Sequence, residues 1–322
     1  MSTTRTVIAA ILLCAPLAAA PAKNEFVPAK ADPLVGDWQG EGSVVAQVIA
    51  TGDDTYQAIL LKAFDTADKP LAVLKSTREG EAVRLAGDGW TATLDGSRFA
   101  GTKEAERFDL KHITRTPPTL GATPPEGAVV LFDGKSLDAW VKKDGKDWLK
   151  DGGPPAWKLV DGAAEVVPGS DSLISRQSFG DCRVHAEFRT LGAPTNSGIY
   201  LQARYEVNVS ETYGRSEGSP SGGLDNCTEK GLPRVRASLP PLAWQTLDID
   251  FRAPRFDADK KKTAAARATV RVNGVTIYDD QELSAPRGAA GRLGEAPTGP
   301  FLLQEHGAPL QFRNIWVVLT KG

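Results

Sequence analysis

The chain reads as an all-β protein, a two-sheet sandwich or jelly roll preceded by a smaller β domain. Three observations predict this. Short runs of alternating polar and apolar residues recur along the chain, Gly-, Pro- and Asp-rich punctuation separates them, and no long stretch carries the 3.6-residue period of an amphipathic helix. Strands do not alternate with helical segments, so a parallel α/β fold is not expected. At 322 residues, 41% hydrophobic and 24% charged, the chain can bury a sizeable core and has room for two domains. A net charge of −2 and a pI near 6.0 give no reason to expect nucleic acid or an anionic membrane as partner. Nothing in the composition sets an oligomeric state.

Residues 1–22 have the layout of a secretory signal peptide: Arg5 precedes an apolar run from Val7 to Ala20, and small residues follow at Ala18, Ala20 and Ala22. The run is too short for a stable membrane span, and the mature protein is expected to be exported, periplasmic or secreted. Removal of the segment takes Cys14 with it. Cys182 and Cys227 remain, and a disulfide or two separate thiols both stand open in an oxidising compartment.

Residues 32–115 follow as the small β domain. The runs Ser43 to Ala50, Tyr56 to Phe64, Ala82 to Leu85 and Trp90 to Leu94 alternate between Gly-Asp and Asp-Lys-Pro turns. This stretch carries Trp38, Trp90 and His112 but no spaced cluster of catalytic residue types, so packing or partner contact is its expected role. Residues 116–127, Thr-Pro-Pro-Thr-Leu-Gly-Ala-Thr-Pro-Pro-Glu-Gly, are stiff and poor in backbone donors, as a linker should be.

The remainder, residues 128–322, is again strand-rich. Asp181 to Arg189 sets Arg183, His185, Glu187 and Arg189 against Cys182, Val184, Ala186 and Phe188, and Trp244 to Phe251 and Ala268 to Val275 read as further strands. Asn273-Gly274 is a hairpin turn signal. The Gly-, Ser- and Pro-rich stretch from Ser210 to Ala243 is too long for a simple hairpin, and such loops often border a binding site. Asn196 to Asn208 alternates throughout, so it reads as one strand with Gln202, Arg204, Glu206 and Asn208 on one face and Leu201, Ala203, Tyr205 and Val207 on the other. The first face is a row of hydrogen-bonding and charged groups suited to a polyhydroxylated ligand.

A resemblance follows from particular segments. Leu131-Phe132-Asp133-Gly134-Lys135-Ser136-Leu137-Asp138-Ala139-Trp140, Glu187-Phe188-Arg189, Asn196-Ser197-Gly198-Ile199-Tyr200, Arg204-Tyr205-Glu206-Val207 and Gly299-Pro300 through Phe312-Arg313-Asn314-Ile315-Trp316 resemble the 3-keto-disaccharide hydrolase family, in its order and across the whole second unit. The resemblance implies a concanavalin-like β-sandwich acting on sugars already oxidised to a ketone at carbon 3, as a hydrolase or as a lyase and hydratase. Asn208 and Ser210-Glu211-Thr212 depart from the family's usual Gln and Leu-Asp-Ser.

The chemistry needs few groups. A ketone at carbon 3 acidifies the proton on carbon 2; a base removes it, and the enolate expels the glycosidic oxygen from carbon 1. Water added back completes a net hydrolysis. The route calls for a base, a cation or donor at the enolate oxygen and an acid for the leaving group. Glu206, His306 and Glu187 are the catalytic candidates, with Arg204, Gln202, Arg189, Asn196 and Gln304 as groups that orient substrate. His306 serves as general base or metal ligand, and alternation in Leu302 to Gly307 puts it beside Gln304. Glu187 and Arg189 form a second acid and guanidinium pair on another strand. No close-spaced motif demands a metal, although Glu187, Glu206 and His306 are suitable ligand types for a divalent ion. The Gly-rich stretch from Gly288 to Gly299 lacks the context of a nucleotide loop.

Two other readings use the same residues. Glu206-Val207-Asn208-Val209-Ser210-Glu211 is similar to the paired-glutamate strand of laminarinase-like glycosidases, whose carboxylates must sit ~5–5.5 Å apart. A non-catalytic carbohydrate-binding module is the third, with Tyr200, Trp157 or Trp244 as stacking platforms, because a sandwich alone does not assign chemistry.

Overall fold

The computed structural model describes residues 26–320 apart from 53, 67–68, 79–81, 146, 216–218, 225–226, 229–234, 236 and 287, so the expected signal segment lies outside the described residues. Strands from Gly36–Gln39 to Glu106–Ile113 pair each with the next, and the last with the first, to close an antiparallel barrel. Closure leaves no strand edge exposed. Trp38, Leu60, Leu74, Phe99 and Leu110 fill its interior. His112 packs edge-on against Trp38 at 5.1 Å, a structural position.

The second unit is an all-β sandwich. An 8-stranded sheet holds Cys182–Thr190 between Gln245–Arg252 and Leu310–Leu319, and a 5-stranded sheet runs in the order Trp140–Lys142, Leu173–Phe179, Gly299–Leu303, Asn196–Leu201, Tyr205–Ser210. The core between them takes Val184, Ala186 and Phe188 from the first sheet and Ile199, Leu201, Tyr205, Val207 and Leu303 from the second. Burying each large apolar side chain is worth ~1.5–3 kcal/mol, which fixes the register of both sheets, because a one-residue slip would turn these faces outward. The Asn273-Gly274 turn forms as expected, with positive φ of 53° and 83°. Among the described residues no helix is long and apolar enough to cross a membrane.

Cys182 and Cys227 are both buried free thiols. Burial, reinforced by Asp181 and Asp250, pushes Cys182 up to about 12.

The linker is not a loose tether. Its Thr119 hydroxyl donates to Asp248 at 2.7 Å, the Gly121 amide donates to Glu187 at 2.6 Å, and Asn314 donates to the Ala122 carbonyl at 2.9 Å. Glu187 also accepts from Arg313 at 2.6 Å and Asn314 at 3.0 Å, while His185 reaches Asp248 at 2.7 Å and stacks on Trp316. This network corrects the sequence-based role of Glu187, whose carboxylate holds the linker against the outer face of the 8-stranded sheet. Arg189 lies on that face too, donating to Gln311 at 2.6 Å and packed over Trp244, as Arg313 is. At the barrel end, Arg115 pairs with Asp37 at 2.7 Å and Asp65 at 2.9 Å, and the Tyr213 hydroxyl donates to Asp37 at 2.8 Å, tying the sandwich to the barrel.

The clamp predicts a pH window. Burial raises the Glu187 pKa, but hydrogen bonds from His185, Asn314, Arg313 and Gly121 outweigh it and hold the carboxyl down to about 2 from 4.5. Burial likewise opposes charge on His185, and bonds to Asp248 and Glu187 outweigh it and raise the imidazole above 6.5. Glu187 thus contributes stability above pH 4.5 that is lost as pH falls toward about 2, and His185 contributes stability below pH 6.5 that is lost as pH rises through its raised value. Glu187→Ala is expected to cost about 3 kcal/mol by stranding buried charge. The melting-temperature gap from wild type should be widest between pH 4.5 and 6.5. A gap that stays constant across pH contradicts the clamp.

Candidate functional site

Asn196 to Asn208 is not one strand. The chain reverses at Gln202, Ala203 and Arg204, giving an antiparallel hairpin of Asn196–Leu201 and Tyr205–Ser210. Gln202 and Ala203 both take φ of 55°, unusual for residues other than glycine. Tertiary hydrogen bonds hold them there. The Gln202 amide donates to the carbonyls of Phe179 at 3.2 Å and Pro297 at 3.1 Å, and the Arg204 guanidinium donates to Gly294 and to Gln202 at 2.8 Å. Burial lowers the Arg204 pKa from its usual value, and the side chain faces backbone carbonyls rather than an open site. Arg204 and Gln202, expected to orient substrate beside Glu206, are therefore the scaffold of the turn.

The hairpin register builds the outer face of the 5-stranded sheet. Val141, Ile174, Leu302, Tyr200 and Glu206 lie opposite one another in one cross-strand row. One pleat further on come Lys143, Ser172, Gln304, Gly198 and Asn208, tied by Lys143 to Ser172 and Gln304 to Gly198 backbone bonds of 2.9 Å. Asn196 and His306 follow, with the Asn196 amide 3.4 Å from His306 Nδ1. The Gln304 amide donates to the Tyr200 hydroxyl at 3.1 Å, and its carbonyl oxygen is buried with no partner among the described residues. An unpartnered buried acceptor is costly unless a ligand hydroxyl meets it.

Gly198 explains how Glu206 sits. A Cβ there would lie 3.2 Å from both Cγ and Oε1 of Glu206, so the carboxyl arm lies across the space a side chain would fill. The floor between Glu206 and the Lys143 side is low, being only Ser172, Gln304 and Gly198. Glu206 and Tyr200 are buried, whereas Asn196 and His306 are exposed and form the open end. Adjacent pleat positions on one face stand ~7 Å apart, and His306 lies two of them beyond the Glu206 row, so the imidazole is remote from the carboxylate on the same face.

Glu187 and Arg189 do not join this group. Their neighbours Ala186 and Phe188 face the core from the other sheet, so Glu187 points out of the opposite side of the sandwich from Glu206. Glu187, Glu206 and His306 therefore cannot share one metal ion, and among the described residues no group of three or more His, Cys, Asp or Glu could hold one. Glu211, the second carboxylate of the laminarinase-like reading, turns to Thr190 and to the Tyr213 amide, and burial pushes it up to about 7. It does not face Glu206. Trp157 is stacked on Phe312 in the core and Trp244 lies beneath two arginines, so neither is a stacking platform. Asn208 anchors the returning loop through the carbonyls of Ser219 at 2.9 Å and Pro220 at 3.2 Å.

The sequence reading missed Trp148, Lys143 and Ser172. Trp148 meets Tyr200 edge-on at 6.3 Å, and its position is set by a loop that carries no periodic signal. Ser172 and Lys143 sit just outside strands, where alternation gives no warning.

The chain folds as a two-sheet sandwich with amide, imidazole, phenol and carboxylate side chains on one outer face. The 3-keto-alpha-glucoside-1,2-lyase-like domain family matches residues 127–318, and the chain belongs to that family. A crystal structure of a "putative glycosyl hydrolase" from Parabacteroides distasonis ATCC 8503 is similar at 29% identity and a TM-score of 0.51, covering 61% of this chain and 85% of that one. Two others of the same description and organism align at 16% and 18% identity, with TM-scores of 0.43 and 0.39; each covers 61% of this chain, and 95% and 100% of its own. No curated protein matches the chain.

If Arg204 is scaffold, Arg204→Ala should lower unfolding free energy by about 2–4 kcal/mol, from two lost charge-assisted bonds and the stranded carbonyls. Denaturant melts read this directly. An unchanged midpoint would return Arg204 to the substrate-binding candidates.

Proposed function

We propose that the outer face of the 5-stranded sheet cleaves 3-keto-glycosides by proton abstraction at carbon 2. One observation carries the reading: Glu206 lies over Gly198 on the face that also holds Tyr200, Gln304, Asn196 and His306, in a chain of the 3-keto-glucoside lyase-like family. Glu206 is the base. The C2–H electron pair becomes the enolate, and the C1–O bond breaks to release the aglycone oxygen. The Tyr200 hydroxyl, polarised by the Gln304 amide, donates to the oxygen at carbon 3 as charge develops there. Solvent protonates the leaving oxygen and water adds back at carbon 1, while His306, two pleat positions away beside Asn196, faces the open end of the site. The positions of Glu187, Arg189, Arg204 and Gln202 leave them outside this chemistry.

Glu206 and His306, the acidic and imidazole groups on this face, stand too far apart to ligate one divalent ion, so no step here is routed through a metal. We read the chain as exported, on Arg5 and the apolar run that follows, with residues 32–115 as a separate small domain and residues 128–322 as the enzyme. A non-catalytic module would have less use for a carboxylate and an imidazole at opposite ends of one hollow.

The test compares a phenyl glucoside with its 3-keto counterpart, in deuterated water and with and without chelator. Phenol should appear from the keto sugar only, with deuterium entering at carbon 2. Glu206→Gln should lower kcat by about 10²–10⁴-fold. Faster turnover of the unoxidised glucoside would refute the proposal. Gly198→Ala should lower kcat, because its Cβ presses on the Glu206 arm at 3.2 Å, and should also lower the melting temperature by a few °C, because the same Cβ meets the Val207 carbonyl at 3.3 Å.

A further inference from the structure

Trp148 carries two cations. Lys143 Nζ stands 5.3 Å and Arg292 Cζ 5.2 Å from its ring centroid, while its edge meets Tyr200 beside the Glu206 hollow. Lys143 leaves the end of Trp140–Lys142 in the row of Ser172 and Gln304. Arg292 comes from the short helix Gly288–Leu293, whose Ala290 and Leu293 pack with Val141, Ile174, Tyr200 and Leu302. Both cations are thus fixed by the same apolar cluster that floors the site.

Among the described residues, neither has a carboxylate partner. This sets them apart from most of the sandwich's other basic residues. Lys142 pairs with Asp171, Arg176 with Asp151, Arg183 and Arg271 with Asp250, and Arg255 with Asp181. Cation–π contacts at partly exposed rings are worth only ~0.5–1 kcal/mol and do not use the N–H donors of an ammonium or guanidinium. Two like charges each within 5.3 Å of one ring centroid also repel, and an anion near both offsets that energy. A guanidinium fork and an ammonium gathered on one ring suit a carboxylate.

Resting on the reading of the hollow as a sugar site, we propose that Lys143 and Arg292, held on Trp148, form a subsite for a carboxylate on the substrate's leaving group. The favoured substrates are then acidic 3-keto-glycosides rather than neutral ones.

The test measures calorimetric binding of phenyl and 4-carboxyphenyl glucosides, unoxidised so that no turnover intervenes, together with kcat/KM for their 3-keto forms. The carboxylated sugar should bind about tenfold more tightly at low salt, as expected for one screened charge contact of about 1.4 kcal/mol. The preference should shrink at high salt and vanish in the Lys143→Gln/Arg292→Gln double variant. Equal binding of the two sugars, no binding of either, or a preference that survives the double variant overturns the subsite, even if keto-sugar cleavage is established. A carboxylate preference that the double variant abolishes, with no turnover of any 3-keto sugar, upholds the subsite and overturns the activity.

Discussion

The candidate site depends on the reversal at Gln202, Ala203 and Arg204. That turn pairs Tyr200 with Glu206 and Gly198 with Asn208, and the pairing alone decides which side chains share the outer face. Side-chain direction in a sheet has period two, so a turn one residue longer or shorter would send Glu206 into the core and Tyr205 to the surface. Neither Gln nor Ala favours a left-handed backbone. The conformation persists because the side chains of Gln202 and Arg204 meet carbonyls of Phe179, Pro297 and Gly294 from other segments. The two residues that resemble substrate ligands in the sequence serve the site indirectly, by fixing where Glu206 stands.

The two outer faces of the sandwich have opposite uses. On the 8-stranded sheet, buried charges are neutralised internally: Glu187 meets Arg313, Asn314 and His185, Asp248 meets His185 and Thr119, and the linker covers them. The carboxylates and the imidazole of this network are partnered by protein groups, and the network contributes rigidity. On the 5-stranded sheet the polar groups are incompletely matched, with a bare Gln304 carbonyl and two cations that share one aromatic ring. Incomplete matching at a partly open surface is what a ligand can complete, and it distinguishes a site from a scaffold better than residue type does.

A polar contact ties the barrel to the sandwich. Asp37 accepts from both Arg115 and Tyr213, so the chain's exit from the barrel and the end of the site hairpin are held by one carboxylate. The same hairpin arm thus carries Glu206 on its outer face and, three residues past its end, the anchor to the other unit.

Several features were legible in the sequence because they follow from local rules. Alternation in Asp181 to Arg189 sorted its faces correctly, Asn273-Gly274 marked its turn, and the family motifs located a sandwich in residues 127–318. Alternation put Gln304 and His306 on one side of a strand end, and the structure adds Asn196, whose amide stands 3.4 Å from His306 Nδ1. What alternation could not reveal is a turn with no Gly, Pro, Asn or Asp in it. Reading through that turn joined Arg204 to Glu206 and hid the antiparallel pairing that brings Tyr200 to Glu206. Nor could it reveal which of two sheets a strand joins, so Glu187 and Glu206 read as neighbours although the core lies between them. The sequence by itself determined the β class, the strand faces and the chemical repertoire, all set by short-range periodicity. Only the tertiary structure decided which outer face each carboxylate lies on, because that depends on contacts between segments more than a hundred residues apart, such as Arg313 with Glu187 and His306 with Asn196.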